Sequence, residues 1–161
     1  MSKEKLSPFS YIGTIATTML ITSVFLLFVA QLVCVSGASM EPTYNHNDIL
    51  VIEKIGKTYE RFDVVTIRID EANYIKRIIG VPGDDVCIKD GRVYINGQII
   101  RDVVDDYILE AGLAAEPVIL RENEYFVLGD NRNNSLDSRN SEIGVVSDEE
   151  IFGRVIFNFN Q

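Results

Sequence analysis

Between Lys5 and Glu41 the chain carries no charged residue, and within that gap residues 11–35 are dominated by Ile, Leu, Val, Phe, Ala, Met and Thr. Roughly 25 such residues, at about 1.5 Å rise each, reach near 37 Å as a helix, enough to cross a hydrocarbon layer of about 30 Å with some tilt. A segment of this kind enters lipid, is cut off as a secretory leader, or is buried as a core helix. The apolar part of a leader is about 7–15 residues long and runs into a small-residue cleavage site. This run is longer, so the expectation is a retained transmembrane anchor at 11–35. Lys3 and Lys5 precede it, whereas Glu41, Asp48 and Glu53 follow. The positive flank of a span stays in the cytoplasm, which predicts a short cytoplasmic N-terminus at 1–10 and a single-pass topology at the cell membrane, with residues 36–161 extracytoplasmic.

At 161 residues, 47% hydrophobic and with only 4 Pro, the chain has room for about one ordinary domain and enough apolar mass to bury a core. Its formal charge of −9 argues against a nucleic-acid partner, which needs a basic surface. The two cysteines, Cys34 and Cys87, do not make a disulfide framework, and the single His46 has no cysteine or histidine at ligand spacing. Neither a metal nor a cofactor is expected.

Past the apolar run the texture changes to short β-branched and aromatic stretches separated by turn signals. Ile49–Ile52, Val64–Ile69, Tyr74–Ile79, Val86–Ile88, Val93–Ile95, Val118–Leu120, Tyr125–Leu128 and Val155–Phe159 read as strands. Asp90-Gly91 and Asn96-Gly97 are hairpin turns of the type that needs positive φ at both central residues. The fold class is therefore mainly β and antiparallel, with a meander in the middle. Ser147-Asp148-Glu149-Glu150 has the spelling of a helix capping box and predicts one short helix outside the membrane. No linker rich in Pro, Gly or Ser interrupts the exported part, which is expected to be one unit beside the bilayer.

A Ser-His-Asp triad would have to use His46, which lies in the polar stretch Tyr44-Asn45-His46-Asn47-Asp48 and reads as an exposed loop residue. A serine can instead be activated by a neutral lysine, and that requires a buried one. Read as a strand, Asn73–Gly80 puts Tyr74, Lys76 and Ile78 on one face and Ile75, Arg77 and Ile79 on the other. Lys76 thus lies on a largely apolar face, where desolvation lowers an amine pKa from about 10.4 toward the 7–8 that base catalysis at neutral pH needs. The alternation is equally compatible with a strand lysine whose amine reaches water.

Three stretches carry a resemblance. Val35-Ser36-Gly37-Ala38-Ser39-Met40-Glu41-Pro42-Thr43 resembles the nucleophile box of bacterial type I signal peptidases, which directly follows a membrane anchor. Lys76-Arg77-Ile78-Ile79-Gly80-Val81-Pro82-Gly83-Asp84 resembles their lysine box, and Gly129-Asp130-Asn131-Arg132-Asn133-Asn134-Ser135-Leu136-Asp137-Ser138-Arg139 their third box, in the same order. The resemblance implies a barrel-like antiparallel β fold, with Ser39 as nucleophile and Lys76 as general base of a Ser-Lys dyad working through an acyl-enzyme. It implies that Ser135 hydrogen-bonds and orients the Lys76 amine, and that Asp130, Asp137 and Arg139 hold the third box in shape, with Arg77 a further supporting residue. Family members with an oxyanion-hole hydroxyl have serine two places before the nucleophile. This chain has Gly37 there, so the oxyanion hole is assigned to the Ser39 amide and an N–H near Gly37. The short separation of the second and third boxes leaves only a small inserted β region at about 84–128, as in compact forms of the type found in monoderm bacteria.

The implied substrates are signal peptides of exported preproteins, cut after small residues in an Ala-x-Ala pattern. The peptide is expected to bind extended, pairing with the strand around Val35–Ser39, with Val35, Met40, Tyr74 and Ile75 lining shallow pockets. Membrane lipid and the secretion translocon are the further partners this reading implies. Two other readings share the motifs: a silent relative that binds signal peptides without cutting, and a self-cleaving repressor-like Ser-Lys protease. The latter is disfavoured by the anchor and by the lack of a DNA-binding helical domain.

Overall fold

The computed structural model describes residues 8–56 and 58–160, excepting the side chains of 8–10, 26 and 27. Lys3, Lys5 and the rest of 1–7 lie outside the described residues. The charge-free run begins as an α-helix, α1, over Pro8–Phe28. Its hydroxyls are satisfied locally, Thr17 Oγ1 donating to Gly13 O and Thr18 Oγ1 to Thr14 O at 2.9 Å each, so polar Thr costs little on an apolar helix. Tyr11, Ile12, Ile15, Met19, Leu20, Ile21, Val24 and Phe25 are all exposed. Among the described residues no helix is long and apolar enough to cross a membrane.

The helix does not continue to 35. It gives way to strand β1 at Ala30–Cys34, which pairs antiparallel with β2 at Ile49–Glu53, Cys34 facing Ile49 and Ala30 facing Glu53. The last part of the expected anchor is thus sheet. Hydropathy alone could not separate the two, because Gln31-Leu32-Val33-Cys34 is uncharged and shows no alternation of apolar and polar residues.

Strands β3 (Val64–Ile69), β4 (Ala72–Gly80), β5 (Asp85–Lys89), β6 (Arg92–Ile95), β7 (Gln98–Ile99), β8 (Val118–Ile119), β9 (Glu124–Leu128), β10 (Val146–Ser147) and β11 (Ile151–Asn158) follow in chain order. They make a seven-stranded sheet in the order β1-β2-β11-β3-β4-β9-β10 and a four-stranded sheet in the order β7-β6-β5-β8. All the pairings are antiparallel, as the strand pattern predicts. Both hairpin turns form with positive φ at Asp90, Gly91, Asn96 and Gly97, which joins β5, β6 and β7 in a meander.

The capping-box spelling does not start a helix. Ser147 N and Oγ both donate to Glu150 Oε2, at 2.7 and 2.8 Å, and the four residues close a turn between β10 and β11. The local hydrogen bonds of a capping box are present, but Ile151 enters the ladder opposite Ile67 of β3. Sheet pairing outcompetes one turn of helix, whose nucleation is unfavourable on its own.

The centre of the molecule is β4 with β9. Ile78, Tyr125 and Val127 point into one core with Val65, Ile67, Val146 and Ile151. Ile79, Phe126 and Leu128 point into the other, with Val86, Ile88, Val93, Ile95 and Leu120. A strand walled by core on both faces shows no polar alternation, and β4 is buried from Lys76 through Gly80.

Candidate active site

The double burial of β4 is what desolvates its lysine. Lys76 is only 1% exposed, on the face of Tyr74, whose ring centroid is 5.9 Å from Nζ. Nζ donates to Ser39 Oγ at 2.9 Å. Burial pushes the amine down to about 8 from 10.5. The negative charges of Asp137 and Asp130 resist that fall, and Arg139 adds to it. An amine in that range is a competent proton acceptor near neutral pH.

One residue along the strand, Arg77 points to the opposite face. Its Nε and Nη2 reach Asp130 Oδ1 and Oδ2 at 2.8 and 2.5 Å, and Nη1 donates to Phe62 O. Asp130 is fully buried and also accepts from Thr43 Oγ1 at 2.5 Å. One carboxylate therefore joins three segments: the turn after Ser39, the strand of Lys76, and the chain leaving β9. Buried, bidentate and fully partnered, this pair avoids the penalty of an uncompensated interior charge. Asp137 forms the second such pair, with Arg139 Nε and Nη2 at 2.8 Å, and accepts the Gly129 N–H at 3.1 Å.

Two expectations need correction. Ser135 Oγ is buried without a hydrogen-bond partner, so it does not bond the Lys76 amine in this structure. It packs instead against Gly129, where a Cβ would come within 2.2 Å of it. The Gly37 N–H, assigned above to an oxyanion hole, donates to His46 Nδ1 at 3.2 Å and is occupied. The Ser39 N–H makes no hydrogen bond among the described residues. His46 itself is the exposed loop residue its neighbours predict.

A groove of about 410 Å³ runs from Ser39 and Lys76 along 31–36 and 73–75, and ends beside Thr66, Arg68 and Phe152. Val35, Met40, Tyr74 and Ile75 all line it. Its walls are two strand edges. β1 pairs with β2 on one side only, and β9 pairs with β4 at Arg77, Ile78 and Gly80 but not at 72–76. The strand along the groove is 30–34 rather than Val35–Ser39, since Ser36–Ser39 bends into the turn that carries the serine. An extended peptide laid here finds backbone donors and acceptors on both sides.

Sequence reasoning missed several residues that hold the site. Asn131 binds two carbonyls of the serine turn, Thr43 binds Asp130, and buried Arg132 pairs with Asp102 of the loop after β7 while its Nε donates to Gly129 O. All but Asp102 lie within the quoted motifs, so position was legible and partners were not.

A family model described as signal peptidase, peptidase S26, matches residues 9–160. The chain is 34% identical to signal peptidase I of Bacillus licheniformis, over 99% of its own length and 94% of the relative's. It is 37% identical to signal peptidase I S of Bacillus subtilis, over 79% and 77%. Among solved structures, a signal peptidase I from Enterococcus faecalis superimposes with a TM-score of 0.51 at 30% identity, covering 62% of this chain and 97% of that one.

Proposed function

The chain belongs to the signal peptidase family, peptidase S26, a family of serine endopeptidases, and from that premise we propose that it removes signal peptides from exported preproteins by a Ser39–Lys76 dyad. The observation that carries the reading is the 2.9 Å bond from the Lys76 amine to the Ser39 hydroxyl, with the lysine pKa lowered by burial to about 8. Neutral Lys76 takes the Ser39 proton as Oγ bonds to the scissile carbonyl carbon. The carbonyl electron pair moves to oxygen, facing the Ser39 N–H. Collapse breaks the C–N bond, and protonated Lys76 returns its proton to the departing amine of the mature protein. The acyl-enzyme is then hydrolysed by a water that Lys76 deprotonates, and Ser39 Oγ takes up that proton as it leaves the acyl carbon.

The substrate lies as a strand between β1 and the open edge of β4, with Val35, Met40, Tyr74 and Ile75 shaping pockets for small side chains before the cut. Arg77, Asp130, Asp137 and Arg139 act by holding the three segments together, and Ser135 supports the site from behind Gly129. Helix α1 is uncharged over its 21 residues, and in this reading the N-terminal apolar segment that contains it holds the chain at the cell membrane with the β domain outside. Membrane lipid and the translocon are its surroundings there.

The test is cleavage of a preprotein peptide with an Ala-x-Ala end by the detergent-solubilised full chain, with Ser39→Ala and Lys76→Ala beside it. Cleavage after the second Ala by the parent alone is the expected result. Cleavage by both variants removes the dyad, and no cleavage by a folded, lipid-supplied parent turns the reading into one of binding without cutting.

A further inference from the structure

The serine turn is laid across the segment that leaves β9. Asn131 N–H donates to Ser39 O at 3.0 Å, and Asn131 Nδ2 donates to Ala38 O at 3.1 Å. Ala38 O also accepts from Glu41 N–H at 3.2 Å, which closes the turn. Gly129 lies against the same strip, since a Cβ on it would come within 2.5 Å of Ser39 O. Two consecutive carbonyls of the nucleophile turn are thus held by one residue, and the second of them is seated on Gly129.

The peptide bond makes this matter for the reaction. Ala38 C=O and Ser39 N–H belong to one planar trans unit, in which they point in opposite directions. Fixing Ala38 O toward Asn131 therefore fixes the Ser39 N–H away from it. That N–H has no acceptor among the described residues. Ser39 lines the groove, and Asn131 is not among the groove-lining residues. With Gly37 N–H held by His46, the Ser39 N–H is a backbone donor at the nucleophile itself that stands ready for a developing oxyanion. We infer that Asn131 is a positioning residue for the reaction, orienting the Ser39 N–H toward the substrate carbonyl oxygen through its grip on Ala38 O. The inference rests on the reading of Ser39 as nucleophile.

Donors aimed at developing charge act in the transition state and hardly at all on the bound ground state. Asn131→Ala is therefore expected to lower kcat by roughly 10- to 100-fold with KM held within about twofold. A substrate-sequence peptide boronate, which becomes tetrahedral on Ser39, should lose affinity by the same factor. An uncleavable peptide with the same side chains should bind as before. Asn131→Asp keeps the shape and the backbone bond to Ser39 O but puts a carboxylate oxygen opposite Ala38 O, and it carries the test if the Ala variant fails to fold. Equal losses for boronate and uncleavable peptide, unchanged kcat, or unfolding of both variants overturn the inference. A parent protein that neither cleaves nor binds the boronate overturns the Ser39 reading instead.

Discussion

At the residue scale, the lysine that the proposed dyad needs is one the fold does not favour. Its amine is held at about 8 chiefly by burial, against an ordinary 10.5. Because the folded value lies below the unfolded one, the unfolded chain binds the extra proton more readily, and stability is lost wherever that proton would be bound. The penalty is full below pH 8 and amounts to roughly 3 kcal/mol, since each tenfold loss of proton affinity is about 1.36 kcal/mol. It fades between 8 and 10.5 and is gone above. Lys76→Met, similar in length and uncharged, should thus be inactive yet about 3 kcal/mol more stable at pH 7, with the gain vanishing above pH 10.5. Urea unfolding of both chains across that range reads it. In the proposed mechanism the same titration governs the chemistry: single-turnover acylation should rise tenfold per pH unit up to about 8 and then level, and a flat profile from pH 6 to 9 would exclude Lys76 as the base. The burial of Lys76 was legible because alternation puts it on an apolar face, and its bond to Ser39 joins two of the quoted motifs. The Ser135 contact was not, since which neighbour a hydroxyl meets depends on how the segment after Gly129 packs against β9.

At the scale of elements, the join between the two sheets rests on a residue with no side chain. Gly80 faces Phe126 across the ladder, beside a break in register after Ile78. A Cβ there would stand 2.5 Å from Val86 Cγ2, 2.7 Å from Leu120 Cδ1 and 3.1 Å from Phe126 Cβ. Those atoms come from β5, β9 and the residue following β8, so no single rotamer change relieves all three. Gly80→Ala should cost about 1–3 kcal/mol, the usual range for an overpacked core, seen as a lower urea midpoint with unchanged slope. Strands with a period of two or a marked turn were legible, and β3 falls on the residues predicted for it. β1 was not, because its uncharged residues continue a helix without a break. The Ser147 turn was misread because a capping box satisfies donors at a chain reversal as well as at a helix start.

At the scale of the whole molecule, the proposed anchor and the sheet are joined with little slack. Helix α1 ends at Phe28 and β1 starts at Ala30, with Val29 N–H still bonded to Phe25 O and Val29 O accepting from Lys54 N–H. That second bond ties the helix end to the residue after β2, so the groove along 31–36 is held at a set height above α1. If the proposed function holds, a peptide bond emerging from the same bilayer is then presented to Ser39 without diffusion in three dimensions. Substitutions that remove the anchor should therefore spare the chemistry and abolish the presentation. Ile15 and Met19 are 59% and 67% exposed, one helical turn apart. Glutamates at both would cost roughly 5 kcal/mol or more in a bilayer, at about 2.5–3.5 kcal/mol for each mid-span acidic residue. The double variant Ile15→Glu, Met19→Glu should leave membranes on alkaline carbonate washing while the parent stays. It should cleave a soluble peptide in detergent at the parent rate and cut a vesicle-embedded preprotein at least tenfold more slowly. Equal rates on both substrates would show that α1 does not set where the enzyme works.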